Sequence, residues 1–151
     1  MKLDNATVLI TGANRGIGLA FARAALARGA RKVYAGARNP SSVTLPGVVP
    51  IKLDVNSPAD IASAAQQAPD VTLVINNAGI AQYGGLLAPD SEASMRQQFE
   101  TNVFGVLRVG RAFAPVLAAN GGGALLNVAS VASWVTMPAL AAYAVTKSAT
   151  W

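Results

Sequence analysis

Apolar residues along this chain come in short, β-branched runs separated by alanine-rich stretches with helical spacing, and each run ends on small or polar side chains. Such alternation marks β/α units that assemble a parallel sheet. The pattern predicts five strands, at roughly Thr7–Thr11, Lys32–Ala37, Val48–Leu53, Val71–Asn76 and Ala124–Ala129. It predicts helices over Gly16–Arg28, Pro58–Ala68, Ser91–Ala119 and from Ala139 onward. Ser57 followed by Pro58 is a helix entry, a capping hydroxyl before a residue whose missing N–H costs nothing there. Gly29 and the run Asn120–Gly123 supply helix stops. The expected architecture is an α/β, doubly wound parallel sheet with helices on both faces.

Composition narrows the chemistry. With 52% hydrophobic and 13% charged residues, the 151 residues suffice for one compact core and read as a single domain over 1–151. Zero cysteines exclude disulfides and thiolate chemistry, and zero histidines exclude an imidazole base or a Ser-His-Asp hydrolase. The seven carboxylates are scattered, so no dedicated metal site is expected. The net charge of +5 owes much to eight arginines, five of which (Arg15, Arg23, Arg28, Arg31, Arg38) fall in the first quarter. Neither interleaved aromatics nor a reading helix accompanies them, which disfavours nucleic acid and favours a local anionic ligand. The first apolar run is too short for a secretory signal, so a cytoplasmic protein is expected. The uncharged stretch Ala112–Thr146 is broken by Asn120, Gly121–Gly123, Asn127 and Pro138, and reads as strand, loop and interface helix, with no membrane partner.

In open sheets of this kind ligands bind at the carboxyl ends of the strands. Directly after the first strand stands Thr11-Gly12-Ala13-Asn14-Arg15-Gly16-Ile17-Gly18, opening into a helix. Gly12 permits a tight turn, Gly16 removes bulk where a phosphate would approach, and Gly18 lets helix pack on strand. The helix N-terminus adds free amides and positive dipole. Such a turn can cradle a pyrophosphate, as expected of a Rossmann-type dinucleotide-binding domain, although its glycine spacing is not the ordinary G-x-G-x-x-G. Near the other end, Tyr143 and Lys147 stand four apart, on one face of a helix, where the ammonium favours the ionised phenol. Ser130, at the end of the fifth strand, is able to aim its hydroxyl at the same substrate oxygen.

The turn T-G-x-x-x-G-x-G, Asn76-Asn77-Ala78-Gly79 after the fourth strand, Asn102 in Thr101-Asn102-Val103, and Ser130, Tyr143 and Lys147 occur in one order. Together they resemble the short-chain dehydrogenase/reductase family across the whole chain. The resemblance implies an enzyme acting on CH–OH groups, transferring hydride between a nicotinamide cofactor and a ketone, aldehyde or secondary alcohol. In that reading Tyr143 protonates the carbonyl oxygen, Ser130 hydrogen-bonds it, Lys147 favours the phenolate and holds the ribose, and Asn102 positions a water in the proton relay. The implied cofactor contacts are Thr11, Gly12, Asn14, Arg15, Gly16, Ile17 and Gly18 in the turn, then Arg38, Asp54 and Val55, then Asn77, Ala78 and Gly79, with Tyr143 and Lys147. Asp54 would reach the adenine amino group.

At the end of the second strand, where an NAD site places a carboxylate, stand Ala37 and Arg38. A guanidinium suits a 2′-phosphate, and Arg15 is near enough to be a second clamp, so NADP(H) is expected over NAD(H). Relative to the family the chain lacks its C-terminal strands and substrate-covering loop. The fifth strand is therefore expected to be a bare apolar edge, and the identity of the small-molecule substrate is not legible. Trp134, Met137 and Pro138 are candidates for the near wall of an apolar pocket. The family resemblance also implies a homodimer or homotetramer, pairing through Ser91–Ala119 and the helix from Ala139. The competing readings are a catalytically silent dinucleotide-binding or sensing protein and a sugar-nucleotide epimerase or dehydratase, whose G-x-x-G-x-x-G turn differs from the spacing here.

Overall fold

The computed structural model describes residues 2–135 and 137–151. Five strands, β1 (Thr7–Thr11), β2 (Lys32–Ala37), β3 (Val49–Lys52), β4 (Leu73–Asn76) and β5 (Ala124–Asn127), form one sheet in the order β3-β2-β1-β4-β5. Every pairing is parallel, with Thr7 opposite Lys32, Val8 opposite Leu73, Tyr34 opposite Val49 and Leu73 opposite Ala124. The chain winds outward through β2 and β3, then returns to the other side of β1 to lay down β4 and β5. The reversal falls between β1 and β4, and a crevice opens there.

Helix α1 (Gly16–Ala27) covers one face; α2 (Pro58–Gln67) and α4 (Gly105–Ala119) cover the other. Strand side chains alternate between faces, so Val8 and Ile10 pack with Ala22 and Ala25 of α1, whereas Leu9 packs with Ile61, Phe113 and Leu117. All five residues of β1 are buried, as expected of a central parallel strand. β5 is an edge strand pairing with β4, and Leu125 and Leu126 remain 40% and 43% exposed.

Several boundaries differ from the expectation. Strands β3, β4 and β5 are shorter than predicted because pairing covers only residues 49–52, 73–76 and 124–127. The last helix, α5 (Ala141–Ala149), starts two residues late. Gly84 N–H donates to Ala139 O at 2.9 Å, and Gly84 pairs with Leu140 as an isolated bridge, which holds this segment extended.

The long helix is not uniform: α3 (Ser91–Phe99) and α4 are joined by a π turn, Glu100–Phe104, in which Gly105 N–H bonds Glu100 O. The 29 residues Ser91–Ala119 are long and apolar enough to cross a membrane by length and composition alone. In the fold, this segment packs on the sheet through Val109, Phe113 and Leu117 and buries the polar Gln98 and Asn102.

Candidate functional site

A cleft of about 630 Å³ opens at the carboxyl ends of β1, β2, β3 and β4. Its wall contains Gly12, Asn14, Arg15, Gly16, Ile17, Arg38, Asp54, Val55, Asn77, Ala78 and Gly79 from the expected set. Thr11 and Gly18 are absent from the wall because they build the floor beneath it. Thr11 Oγ1 accepts from the backbone N–H of Asn77 (3.0 Å) and Ala78 (2.9 Å), while Asn77 Nδ2 donates to the carbonyls of Thr11 (3.0 Å) and Gly12 (3.2 Å). These four bonds weld the ends of β1 and β4 together at the crevice.

The glycines do what the spacing required. A Cβ on Gly18 would overlap the Gly12 carbonyl oxygen and sit 2.5 Å from Asn77 Nδ2, so only glycine lets α1 approach. Gly16 adopts φ +56° and faces open space, which leaves room for a ligand at the helix start. Helix α1 has no side-chain cap at Arg15, so its first amides are free of a competing partner; α2, in contrast, is capped by Ser57 Oγ accepting from Asp60 N–H at 3.2 Å. Free amides, a positive helix end and an open glycine fit an anionic diphosphate.

Arg15 and Arg38 are both exposed on the cleft wall. Among the described residues neither forms an ion pair; the five ion pairs there involve Arg31, Lys32, Lys52, Arg96 and Arg108. Asp54 Oδ1 accepts from Asn56 N–H at 2.9 Å. Seven wall residues lie outside the expected set: Ala37, Asn39, Ser42, Leu53, Asn56, Ile80 and Thr101. Asn39-Pro40-Ser41-Ser42 carried a signal, since asparagine before proline and serine is a cap sequence; Asn39 Oδ1 accepts from Ser41 N–H at 3.1 Å. Asn56 Nδ2 donating to Thr101 Oγ1 at 3.0 Å joins residues 45 apart and had no local signal.

The residues expected to be catalytic lie beyond the cleft, past Gly79. A Cβ on Gly79 would stand 3.2 Å from Asn102 Oδ1 and 3.8 Å from Lys147 Nζ, so this glycine is the junction between the two regions. Asn102 is wholly buried in the π turn. Its Oδ1 accepts from Ile80 N–H (2.8 Å), and its Nδ2 donates to Ile80 O (2.8 Å) and Thr146 Oγ1 (3.0 Å). Both amide protons are thus committed, binding the loop after β4 to helix α5.

Lys147 is 7% exposed, and its Nζ donates to the Val128 carbonyl at 2.7 Å. Burial pushes its ammonium below the ordinary lysine value. The ammonium lies 5.8 Å from the centroid of the half-buried Tyr143 ring, so the two interact through charge. Ser130 Oγ accepts from Ala132 N–H at 3.2 Å, capping the short 3₁₀ turn Val131–Ser133 while keeping its own proton to donate. That turn is locked to α5 by a reciprocal pair: Ser133 Oγ donates to Lys147 O and Ser148 Oγ donates to Ser133 O, both at 3.0 Å. Of the expected pocket wall, Trp134 is 71% exposed and stacks edge-on against Trp151 at 4.9 Å, so it faces outward here.

Comparison with known proteins identifies the family. Residues 6–151 match the profile described as short chain dehydrogenase. A curated relative, the oxidoreductase YbbO of Escherichia coli K12, is 34% identical over 156 residues, covering 98% of this chain and 57% of its own. Galactitol 2-dehydrogenase (L-tagatose-forming) of Cereibacter sphaeroides is 33% identical, covering 89% and 56%. A crystal structure of a short chain dehydrogenase from Burkholderia cenocepacia J2315 in complex with NADP superposes with a TM-score of 0.93 at 40% identity, covering 99% of this chain and 63% of that one. The chain spans little more than half the length of these two curated relatives. With the profile matching from residue 6 to residue 151 and a parallel sheet that superposes on a solved member, the chain belongs to the short-chain dehydrogenase family.

Proposed function

We propose that this chain carries the dinucleotide site and the proton-handling residues of an oxidoreductase that moves hydride between NADP(H) and a ketone, aldehyde or secondary alcohol. One observation carries the reading: a cleft built on free helix amides leads, at Gly79, to a buried lysine beside a tyrosine. The nicotinamide cofactor supplies the hydride when bound. The α1 amides, Gly12 and Gly16 would hold its diphosphate, and Asp54 and Asn56 would face the adenosine half. The unpaired Arg15 and Arg38 support a 2′-phosphate, hence NADP(H) over NAD(H).

In the reducing direction Tyr143 gives its phenolic proton to the carbonyl oxygen as carbon gains hydride, and Ser130 donates its free O–H to the same oxygen. The Lys147 ammonium stabilises the phenolate left behind. Because both Asn102 amide protons are committed, a relay water would meet its backbone carbonyl and not those protons. The exposed Phe104 and Leu107 on the outer side of the long helix support self-association, which light scattering tests as a mass of two or four chains.

The deciding experiment incubates a panel of ketones with NADPH and compares the parent chain with Tyr143→Phe. Turnover by the parent and a loss of at least a hundredfold in the variant is the expected result. Turnover that survives the substitution removes Tyr143 from the reaction.

A further inference from the structure

The two unpaired arginines sit on separate loops, and a hydrogen-bond bridge joins their immediate neighbours. Asn14, beside Arg15, donates from Nδ2 to Ser42 Oγ at 3.1 Å. Ser42 Oγ in turn donates to the carbonyl of Asn39, beside Arg38, at 2.6 Å. Asn39 is itself immobilised, its Oδ1 accepting from Ser41 N–H at 3.1 Å and Ser41 Oγ at 2.8 Å. At their base the two loops are already pinned, Ala13 N–H donating to Gly36 O at 3.0 Å. The Ser42 bridge is a second pin at the outer lip.

A single pin would leave the loops free to swing about it, and two like charges without counterions favour separation. With two pins, the separation of residues 15 and 38 is set before any ligand arrives. Resting on the 2′-phosphate reading above, we infer that Ser42 is a positioning residue for cofactor specificity: by bridging Asn14 to Asn39 it holds Arg15 and Arg38 at the spacing a 2′-phosphate needs. Its only proton is committed to Asn39 O, and one lone pair accepts from Asn14, so with no proton to offer a phosphate it acts through the arginines. Preorganisation of this kind raises affinity by removing the cost of ordering the loops during binding.

The test titrates the chain calorimetrically with 2′,5′-ADP and with 5′-AMP, two probes that differ only in the 2′-phosphate. The parent is expected to prefer 2′,5′-ADP. Ser42→Ala is expected to weaken 2′,5′-ADP about tenfold and 5′-AMP less than twofold, equivalent to the loss of one well-placed polar contact. Ser42→Thr, which keeps the hydroxyl, should restore the preference.

A parent that does not discriminate, or binds neither probe, overturns the 2′-phosphate reading and the positioning role with it. A parent that discriminates while Ser42→Ala keeps the full ratio overturns the positioning role alone. Equal weakening of both probes assigns Ser42 to general loop integrity and likewise overturns it.

Discussion

The Lys147 ammonium reaches back from α5 to the carbonyl oxygen of Val128, 2.7 Å away, at the end of β5. That bond points the charge along the junction at Gly79 and fixes it beside Tyr143, at the cost of burying a cation.

The cost is measurable through pH. The folded-state pKa of Lys147 is depressed below its ordinary value of 10.5 by burial. At neutral pH the lysine is charged in both folded and unfolded chains and the burial penalty is fully present. As pH rises through the folded value toward 10.5, the folded chain loses the proton first and the penalty disappears. The stability of the parent relative to Lys147→Met should therefore rise with pH in that window, as read by urea unfolding at pH 7 and at steps up to 10. A difference that falls with pH would mean that the site favours the charge.

Asn102→Ala removes three hydrogen bonds and leaves both polar groups of Ile80 without their partner. A loss of about 2–4 kcal/mol is expected in chemical denaturation. Asn102→Asp should be at least as damaging at pH 7, because a carboxylate there faces the Ile80 carbonyl with no proton between them. Its folded pKa would be raised, so stability should recover as pH falls through that value, whereas Asn102→Ala should show no such recovery.

Gly18 and Gly16 differ in kind, although both belong to one turn. Gly18→Ala drives a methyl into the Gly12 carbonyl and Asn77, both held in the bonded crevice between β1 and β4. It should cost roughly 2–4 kcal/mol of stability. Gly16→Ala meets no atom and should cost only about 1–2 kcal/mol for its positive φ, while weakening dinucleotide binding. Parallel denaturation and titration curves check the contrast, and equal destabilisation by the two would contradict it.

At the opposite end of the sheet Asp70 accepts from Lys32 Nζ at 2.8 Å and Tyr34 OH at 2.9 Å. Burial pushes its carboxyl up, but these two bonds outweigh that and hold it below the usual carboxylate value. The stabilisation is present above the unfolded value of 3.8 and is lost as pH falls through the lower folded value. Asp70→Asn should lower Tm by roughly 2–5 °C at pH 7, with the gap closing in thermal melts as pH falls below 3.8. The cleft should be untouched, since Asp70 lies at the end of the sheet remote from it.

Much of this protein was legible in its sequence because its information is local. β-branched runs bounded by polar residues placed all five strands, and glycine spacing placed the turn after β1, since glycine adopts the φ of +66° at Gly12 and +56° at Gly16 without the strain most side chains would bring. Tyr143 and Lys147 share a helix face by arithmetic alone.

Tertiary structure decided what joins residues far apart in the chain. Asn102 and Thr146 meet across 44 positions, and their meeting turns a helix-surface asparagine into the buttress of the loop after β4. Ser42 reaches Asn14 across 28, linking two loops whose own sequences do not encode their separation. The π turn at Glu100–Phe104 likewise has no periodic signature, because the buried bonds of Asn102 reward it and the local pattern of Ser91–Ala119 reads as unbroken helix. Local propensity and spacing are written in neighbouring residues. The partners of a buried amide or a bridging hydroxyl exist only once the sheet order β3-β2-β1-β4-β5 has brought distant segments together.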